Sequence, residues 1–437
     1  MNPKIIVLDD DPTGSQTVHS CLLLTRWDVA TLKAALADAA PLFFVLTNTR
    51  GMGAGEAAAV TRAVCANLKT ALADYAGPVL FVSRSDSTLR GHYPVETDVM
   101  AAELGPFDAT LLTPAFFEGG RTTVDSTHYL LVNGQRVPTH EPELALDSVF
   151  GYSTAFLPDY VAEKTGGRVA AASVARLTLA GLRAGQAKDW LMNLSGNVVG
   201  VVDGETPADY RAFADAALDA AAGGKRLLFR SAASLLTALA NLPPQPVAAE
   251  DFSKLVRDGR PGAVVVGSHV AKTTAQLAEL LKLRGVVGLP LAVERLPEGR
   301  TELVASLIAA VAHAHAQGLT PVIYTSRGER RFASTEERLA FGAAVSATLM
   351  DVVRGLPETL GFLVSKGGIT SNDVLSSGLA LTAARVLGQI LPGVTVVQTP
   401  AEHRIPAMPV VIFPGNVGDD DALAEAVRRL APKQGAA

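Results

Sequence analysis

The sequence predicts an α/β protein: two α/β domains with mainly parallel sheets and a ligand cleft between them. Three observations lead there. Short aliphatic runs alternate along the chain with longer alanine-rich stretches of helical period, as parallel sheets covered by helices require. A proline-rich break, NLPPQPVAAEDFSKLVRDGRPG, interrupts that alternation once, which sets an N-terminal domain at 1–240, a linker at 241–262 and a C-terminal domain at 263–437. Several aliphatic runs end abruptly in Asp, Arg or Gly, and the C-terminal edge of strands is where open α/β sheets bind ligands.

The first domain opens on IIVLDDDPTG, a buried strand followed by Asp9, Asp10 and Asp11 and a turn at Pro12, Thr13 and Gly14. Cys21 to Thr25 reads as a second strand and Asp28 to Ala40 as a helix. The stretch from Leu42 to Gly55 repeats the design of strand, polar edge and glycines, placing Arg50 beside Asp10, and Glu56 to Tyr75 continues as a helix. GMGAG matches only the start of a dinucleotide fingerprint, because position 56 is Glu, so it reads as a tight turn opening that helix. Pro78 to His92 and Ala109 to Phe116 are further strands. Thr127 to Glu143 alternates around Asn133-Gly134, the signature of a hairpin, and its acidic, proline-containing end suits a lid or a homodimer contact. GRVAAAS and VVGVVDG supply two strands, and Pro207 to Gly223 a helix before LLFRSAASLL.

In the second domain the order is a strand at AVVVGSHV, helices at Thr273 to Arg284 and Thr301 to Gly318, a strand at PVIYTS and a helix at Phe341 to Arg354. A strand at LGFLVSKGG, another helix, and strands at TVVQT and PVVIFPG follow. This is a second doubly wound pattern.

Composition narrows the partners. A net charge of -5 and the lack of a basic run give no electrostatic case for nucleic acid or an anionic membrane, so a small molecule is the default ligand. Cys21 and Cys65 sit among apolar or small residues and read as buried hydrophobes. With no secretory leader pattern and no membrane-length apolar run, a soluble cytoplasmic protein is expected. The histidines lack metal spacing, His313 and His315 falling on different helix faces, and G-x-S-x-G is absent.

Chemistry concentrates at two sets of strand ends. In the first domain, SRSDSTLRGH places Arg84, Ser85, Asp86, Ser87 and Arg90 at the same rim as Asp9 to Asp11, Thr13 and Arg50. Carboxylates suit hydroxyls, a metal or a proton, and guanidinium forks suit a carboxylate, so the rim fits a hydroxylated acid; a surface ion-pair cluster is the competing reading. In the second domain AVVVGSHVAKTT resembles a phosphate loop but has Ala271 where the second glycine belongs. Lys366, Gly367 and Gly368 after one strand, and Gly415, Asn416 and Gly418 after another, let backbone approach a ligand closely. Together these edges suggest a nucleotide phosphate site rather than routine turns.

DDDPTG, Thr49-Arg50, the S-R-x-D-S-T-L-R-G stretch at 83 to 91, VGSHVAKTT, SKGGITSND and PGNVGD resemble, in that order, the four-carbon acid sugar kinase family. The resemblance implies an ATP-dependent kinase acting on the terminal hydroxyl of a small sugar acid or 3-oxo sugar acid, with Mg²⁺. Sugar-acid residues would be Asp10, Arg50 and the segment Arg84 to Ser87, with Asp9, Thr13 and Arg90 beside them. Nucleotide residues would be Ser268, Lys366, Gly367, Gly368, Ile369, Thr370 and the loop Gly415, Asn416, Val417 and Gly418. Asp10, or else Asp86, would act on the hydroxyl's proton, and Arg50 with Arg84 or Arg90 would hold the acid group. The family has lysine where this chain has Arg84 or Ser83, which leaves the acid itself open. An NAD(P)-dependent oxidoreductase and a non-catalytic sugar-acid sensor are the alternatives.

Overall fold

Strand β1 (Lys4–Asp9) is buried along its whole length, because it pairs in parallel on both sides with β3 (Leu42–Leu46) and β4 (Val79–Arg84) and is covered on both faces. The computed structural model describes residues 3–296, 298–326, 334–415 and 417–431. The chain divides into two units, Met1–Pro244 and Gln245–Ala437.

The remaining strands of the first unit are β2 (Leu22–Leu24), β5 (Ala109–Thr113), β6 (Arg121–Val124), β7 (Thr127–Val132), β8 (Gln135–Pro138), β9 (Ala175–Leu177), β10 (Val198–Val202) and β11 (Leu227–Ser231). Its main sheet runs β2-β3-β1-β4-β11-β5-β10-β9, parallel throughout. Register fixes the site: Asp9 stands level with Leu46 of β3 and Arg84 of β4, and Arg84 with Ser231 of β11. One edge therefore carries the ends of four neighbouring strands.

Helices Val29–Ala37 and Ala54–Leu72 form where the spacing predicts them, the first capped by the Asp28 side chain. Helix Val95–Leu104 is not evident from the sequence, because Glu96 and Thr97 are buried on it and blur its amphipathic pattern. The strand expected over GRVAAAS is displaced to β9. Gly166 and Gly167 take positive φ in the turns after helix Leu157–Lys164, and Ala171–Ser173 closes into a 3-10 turn first.

Strands β6, β7 and β8 make a separate antiparallel ribbon. Its tip is Asn133-Gly134, with φ of 50° and 78°, the backbone a two-residue type I′ hairpin demands.

The second unit contains β12 (Ala263–Val266), β13 (Val286–Leu291), β14 (Thr320–Thr325), β15 (Leu363–Lys366), β16 (Ala383–Leu391), β17 (Val394–Gln398) and β18 (Pro409–Phe413). They run β13-β14-β12-β15-β18-β17-β16, parallel as far as β18 and antiparallel beyond. Strand β16 is unforeseen: its alternating burial marks a one-sided strand returning through Gly393 into β17, where a helix was expected. Residues 249–255 form a 3-10 helix that seats Phe252 in this unit's core beside Val264, Phe362 and Leu423. Among the described residues no helix is long and apolar enough to cross a membrane.

Candidate active site

The three carboxylates after β1 have different environments. Asp10 receives Arg50 as a two-pronged fork, Nε to Oδ2 at 3.1 Å and Nη2 to Oδ1 at 2.5 Å, and Ser85 Oγ donates to its Oδ2 at 2.7 Å. Arg50 also reaches Asp11 Oδ2 at 3.2 Å, and Asp11 accepts from the Thr13 amide and hydroxyl. Asp9 is fully buried, meets Arg84 Nη1 at 3.4 Å, and keeps Oδ2 without a partner among the described residues. Burial pushes the Asp9 carboxyl up to about 8, against the pull of Arg84. Gly14 is required here, since a Cβ on it would lie 1.9 Å from Asp9 Oδ2.

Asp86 is more accessible than Asp9 and Asp10, though less exposed than Asp11. Thr88 Oγ1 and Arg90 Nε both donate to its Oδ2, the latter at 2.9 Å, while Oδ1 has no partner among the described residues and the side chain is 14% exposed. Burial opposes its ionisation, but Arg50, Arg90 and Thr88 outweigh it and hold the carboxyl well below the usual range.

The loop bearing Asp86 is held carbonyl by carbonyl. Arg230 Nη1 donates to the Asp86 carbonyl at 3.0 Å and His128 Nε2 to that of Ser87 at 2.7 Å. Tyr152 donates to Thr88 at 2.7 Å, Tyr160 to Leu89 at 2.8 Å, and Arg230 Nη2 to Arg90 at 2.9 Å. Each consecutive carbonyl from 86 to 90 thus accepts from a buried side chain, which fixes the loop before any ligand arrives. Because His128 Nε2 must donate, its Nδ1 accepts from Thr123 Oγ1 at 2.9 Å, and burial holds this neutral ring down at about 4. Glu96, buried behind the rim, accepts from Thr49 Oγ1 and is pushed up to about 7 by burial and then by Asp10.

The structure brings Asp9, Asp10, Asp11, Thr13, Arg50, Arg84, Ser85, Asp86, Ser87 and Arg90 to one edge, as the sequence reading expects. Of the guanidiniums expected to hold a ligand's acid group, Arg50 with Arg84 or Arg90, each also pairs with a carboxylate of the chain itself. The sequence reading misses Arg230, Glu96, His128 and the two tyrosines. A cavity of about 420 Å³ lies at the opposite end of β4, but its charged lining is already engaged, Lys69 with Glu103 at 2.6 Å and Arg226 with backbone carbonyls.

In the second unit the ends of β12, β15 and β18 are neighbours, and their loops interlock. Thr273 Oγ1 lies 3.3 Å from Ser268 Oγ and donates to the Gly415 carbonyl at 3.1 Å, and Lys272 Nζ donates to that of Gly418 at 3.1 Å. Gly367 has a φ of 113° and precedes the short helix Gly368–Asp373, on which Thr370 is buried and Ile369 is 69% exposed. A Cβ on Gly415 would find nothing closer than Ser268 Oγ at 3.9 Å, so the backbone there is open to a ligand. Val417 is tied to Gln276 through its carbonyl at 2.9 Å; Asn416 lies outside the described residues.

Lys366 differs from expectation. Its side chain is fully buried over the Phe413 ring, and Nζ donates to the carbonyls of Pro414 at 2.5 Å and Gly415 at 3.2 Å. Burial, and then Lys272, pull the amine down to about 7. It braces the loop instead of presenting a charge to phosphate. Among the described residues no group of three or more His, Cys, Asp or Glu is placed to hold a metal ion.

Residues 5–239 match a family described as a sugar-binding N-terminal domain, and residues 263–423 one described as a nucleotide-binding C-terminal domain. The chain is 29% identical over 174 residues to a D-erythronate kinase of Heliobacterium modesticaldum, covering 37% of this chain and 36% of that one. It is 30% identical over 164 residues to a D-threonate kinase of Bordetella bronchiseptica, covering 36% and 38%. The alignments thus span little more than a third of either relative. The fold matches a Haemophilus influenzae protein with a TM-score of 0.66 at 18% identity, over 97% of this chain and 99% of that one. It also matches a Salmonella typhimurium protein described as a putative tRNA synthase, with a TM-score of 0.69 at 19% identity over 97% and 98%. With the sugar-binding match alone covering more than half of the sequence and the nucleotide-binding match following it in order, the chain belongs to the four-carbon acid sugar kinase family.

Proposed function

We propose that the protein transfers a phosphoryl group from ATP to the terminal hydroxyl of a small, four-carbon-like sugar acid or 3-oxo sugar acid. The observation that carries this reading is the prefixed loop from Ser85 to Arg90, which holds Asp86 with one carboxylate oxygen free beside a rim of guanidiniums. Phosphoryl transfer asks for positioning and charge neutralisation more than for covalent chemistry, and a rigid rim supplies positioning.

Asp86 Oδ1 is the acceptor we assign to the reacting hydroxyl, since both oxygens of Asp10 are already taken. Asp10 then fixes Arg50 and Ser85, and Asp9, Thr13, Arg84, Ser87 and Arg90 complete the sugar-acid site. Burial raises the Asp9 and Glu96 carboxyls and so weakens their negative charge beside the guanidiniums of Arg50, Arg84, Arg90 and Arg230, which favours an anionic ligand.

ATP supplies the phosphoryl group. Ser268, Gly367, Gly368, Thr370, Gly415, Val417 and Gly418 are the residues we assign to its phosphates, with exposed Ile369 and Val270 offering apolar surface to the base. Asn416 shares this assignment on its place in the sequence.

The test is a coupled ADP assay with four- and five-carbon sugar acids, including branched and 3-oxo forms. ADP release that depends on an acid is expected. Turnover of NAD(P) with these acids would point to the oxidoreductase, and acid binding without ADP release to the sensor; either result ends the kinase reading.

A further inference from the structure

We propose that Arg121, from the β6-β7-β8 ribbon, receives the carboxylate of the substrate and so makes the acid group a requirement. The inference rests on the sugar-acid reading above and names the residue that enforces it.

The guanidiniums already described have partners. Arg50 is paired with Asp10 and Asp11 and Arg84 with Asp9, both Nη atoms of Arg230 are taken by carbonyls, and Arg90 already has Asp86 as its counter-charge through Nε, with its Nη atoms free among the described residues. Arg121, like Arg230, has no carboxylate within ion-pair distance among the described residues, and its Nε, like those of Arg84 and Arg230, is buried without a partner; unlike those two it is only partly buried, so its guanidinium remains open to a ligand. Its Nη1 donates to the carbonyl of Gly119 in its own turn, and the guanidinium stands over the Phe116 ring at 5.9 Å. Gly119 makes room for it, since a Cβ there would fall 2.2 Å from Nη1.

The ribbon aims this group at the site. Arg121 and Thr123 are two apart on β6 and so share a face. Thr123 pairs across the ribbon with His128, which in turn donates to the carbonyl of Ser87 in the Asp86 loop. The face carrying Arg121 is therefore the face laid against the substrate loop. Burial lowers the Arg121 pKa, Asp86 acting against that and Arg90 with it, so both of those side chains are within electrostatic reach.

A guanidinium stays ionised in proteins, and one that is partly desolvated with no anion beside it lacks a counter-charge. A ligand carboxylate meets its remaining N–H groups as a planar fork and restores the balance. The hydroxyls of the same molecule then fall toward Asp86, and a neutral polyol of the same length gains nothing from Arg121.

The experiment measures calorimetric binding of a panel of four-carbon sugar acids and of the matching neutral polyols to the full-length protein and to R121Q and R121K. ADP release is read in parallel, and ATP affinity and melting temperature serve as controls for folding. Expected is a loss of acid affinity of roughly 10- to 100-fold in R121Q, a smaller loss in R121K, and no change for polyols or ATP. Acid affinity in R121Q within threefold of the parent would overturn the inference while leaving acid-dependent ADP release, and with it the kinase reading, intact. Equal losses for acid and polyol would also overturn it, by making Arg121 structural. An unmodified protein that binds no acid removes both.

Discussion

Gly91 and Ser85 approach so closely that a Cβ on Gly91 would stand 2.1 Å from Ser85 Oγ, the hydroxyl that donates to Asp10. Gly91 also has a φ of 113°, where a side chain is strained whatever the space. Gly91→Ala is expected to cost about 1–3 kcal/mol of stability and to weaken sugar-acid binding more than ATP binding. Thermal denaturation and separate titrations of the two ligands check this; an unchanged acid affinity would show that Ser85 does not set the position of Asp10.

The two candidate acids should separate by mutation. Asp86→Asn removes the free acceptor and should lower kcat by at least about 100-fold with little change in melting temperature. Asp10→Asn should also lower kcat strongly, with only a modest change in the KM for ATP, but should in addition lower the melting temperature, because an amide cannot accept the Arg50 fork at both atoms. Near parental turnover in either variant removes that residue from the reaction.

Glu96 makes stability depend on pH. Its carboxyl is raised from 4.5 to about 7, so between those values the folded chain holds a proton that the unfolded chain has lost. Its stabilising effect is complete below pH 4.5 and is lost as pH rises through 7. Glu96→Gln should flatten that part of the profile of melting temperature against pH. Asp9, raised from 3.8 to about 8, acts in the same direction and keeps some slope in the variant.

Lys366→Met should leave the carbonyls of Pro414 and Gly415 without their donor and cost about 1–3 kcal/mol. The sign of the pH effect is opposite to that of Glu96. With a folded value of about 7 against 10.5, the unfolded chain binds the extra proton, so parental stability from this group rises between pH 7 and 10.5 and the variant loses that rise. ATP affinity should fall through the loop rather than through lost charge, so that Lys366→Arg, too large for the buried site, does not rescue it.

Strand ends were the legible part of this chain. IIVLDDD, FFVLTNTR and FVSRSDS each announce a buried strand and its polar edge, and parallel pairing then brings the edges together without further information. Groups that arrive from a distance were not legible. Arg230 reads as an interruption in LLFRSAASLL, and only its register beside β4 shows that it reaches the carbonyls of Asp86 and Arg90. Glu96 sits on a helix whose inward face is polar, so no periodicity marks it. Lys366 looked like a phosphate ligand because glycines follow it, but burial turns its amine toward loop carbonyls. Asp10 and Arg50 were placed together correctly, while their engagement with one another depends on side-chain geometry that spacing does not encode.

Strand β11 inserts between β4 and β5 although it is made long after both. Arg230 lies 144 residues beyond the Asp86 carbonyl that it anchors, and Arg84 lies 75 beyond Asp9. During synthesis Asp9, Asp10 and Asp86 leave the ribosome well before Arg230, so their sheet stays open at the centre until residue 230 has emerged. A nascent chain halted before that point would expose the flanks of β4 and β5 as unpaired edges, a template for aggregation and for chaperone capture.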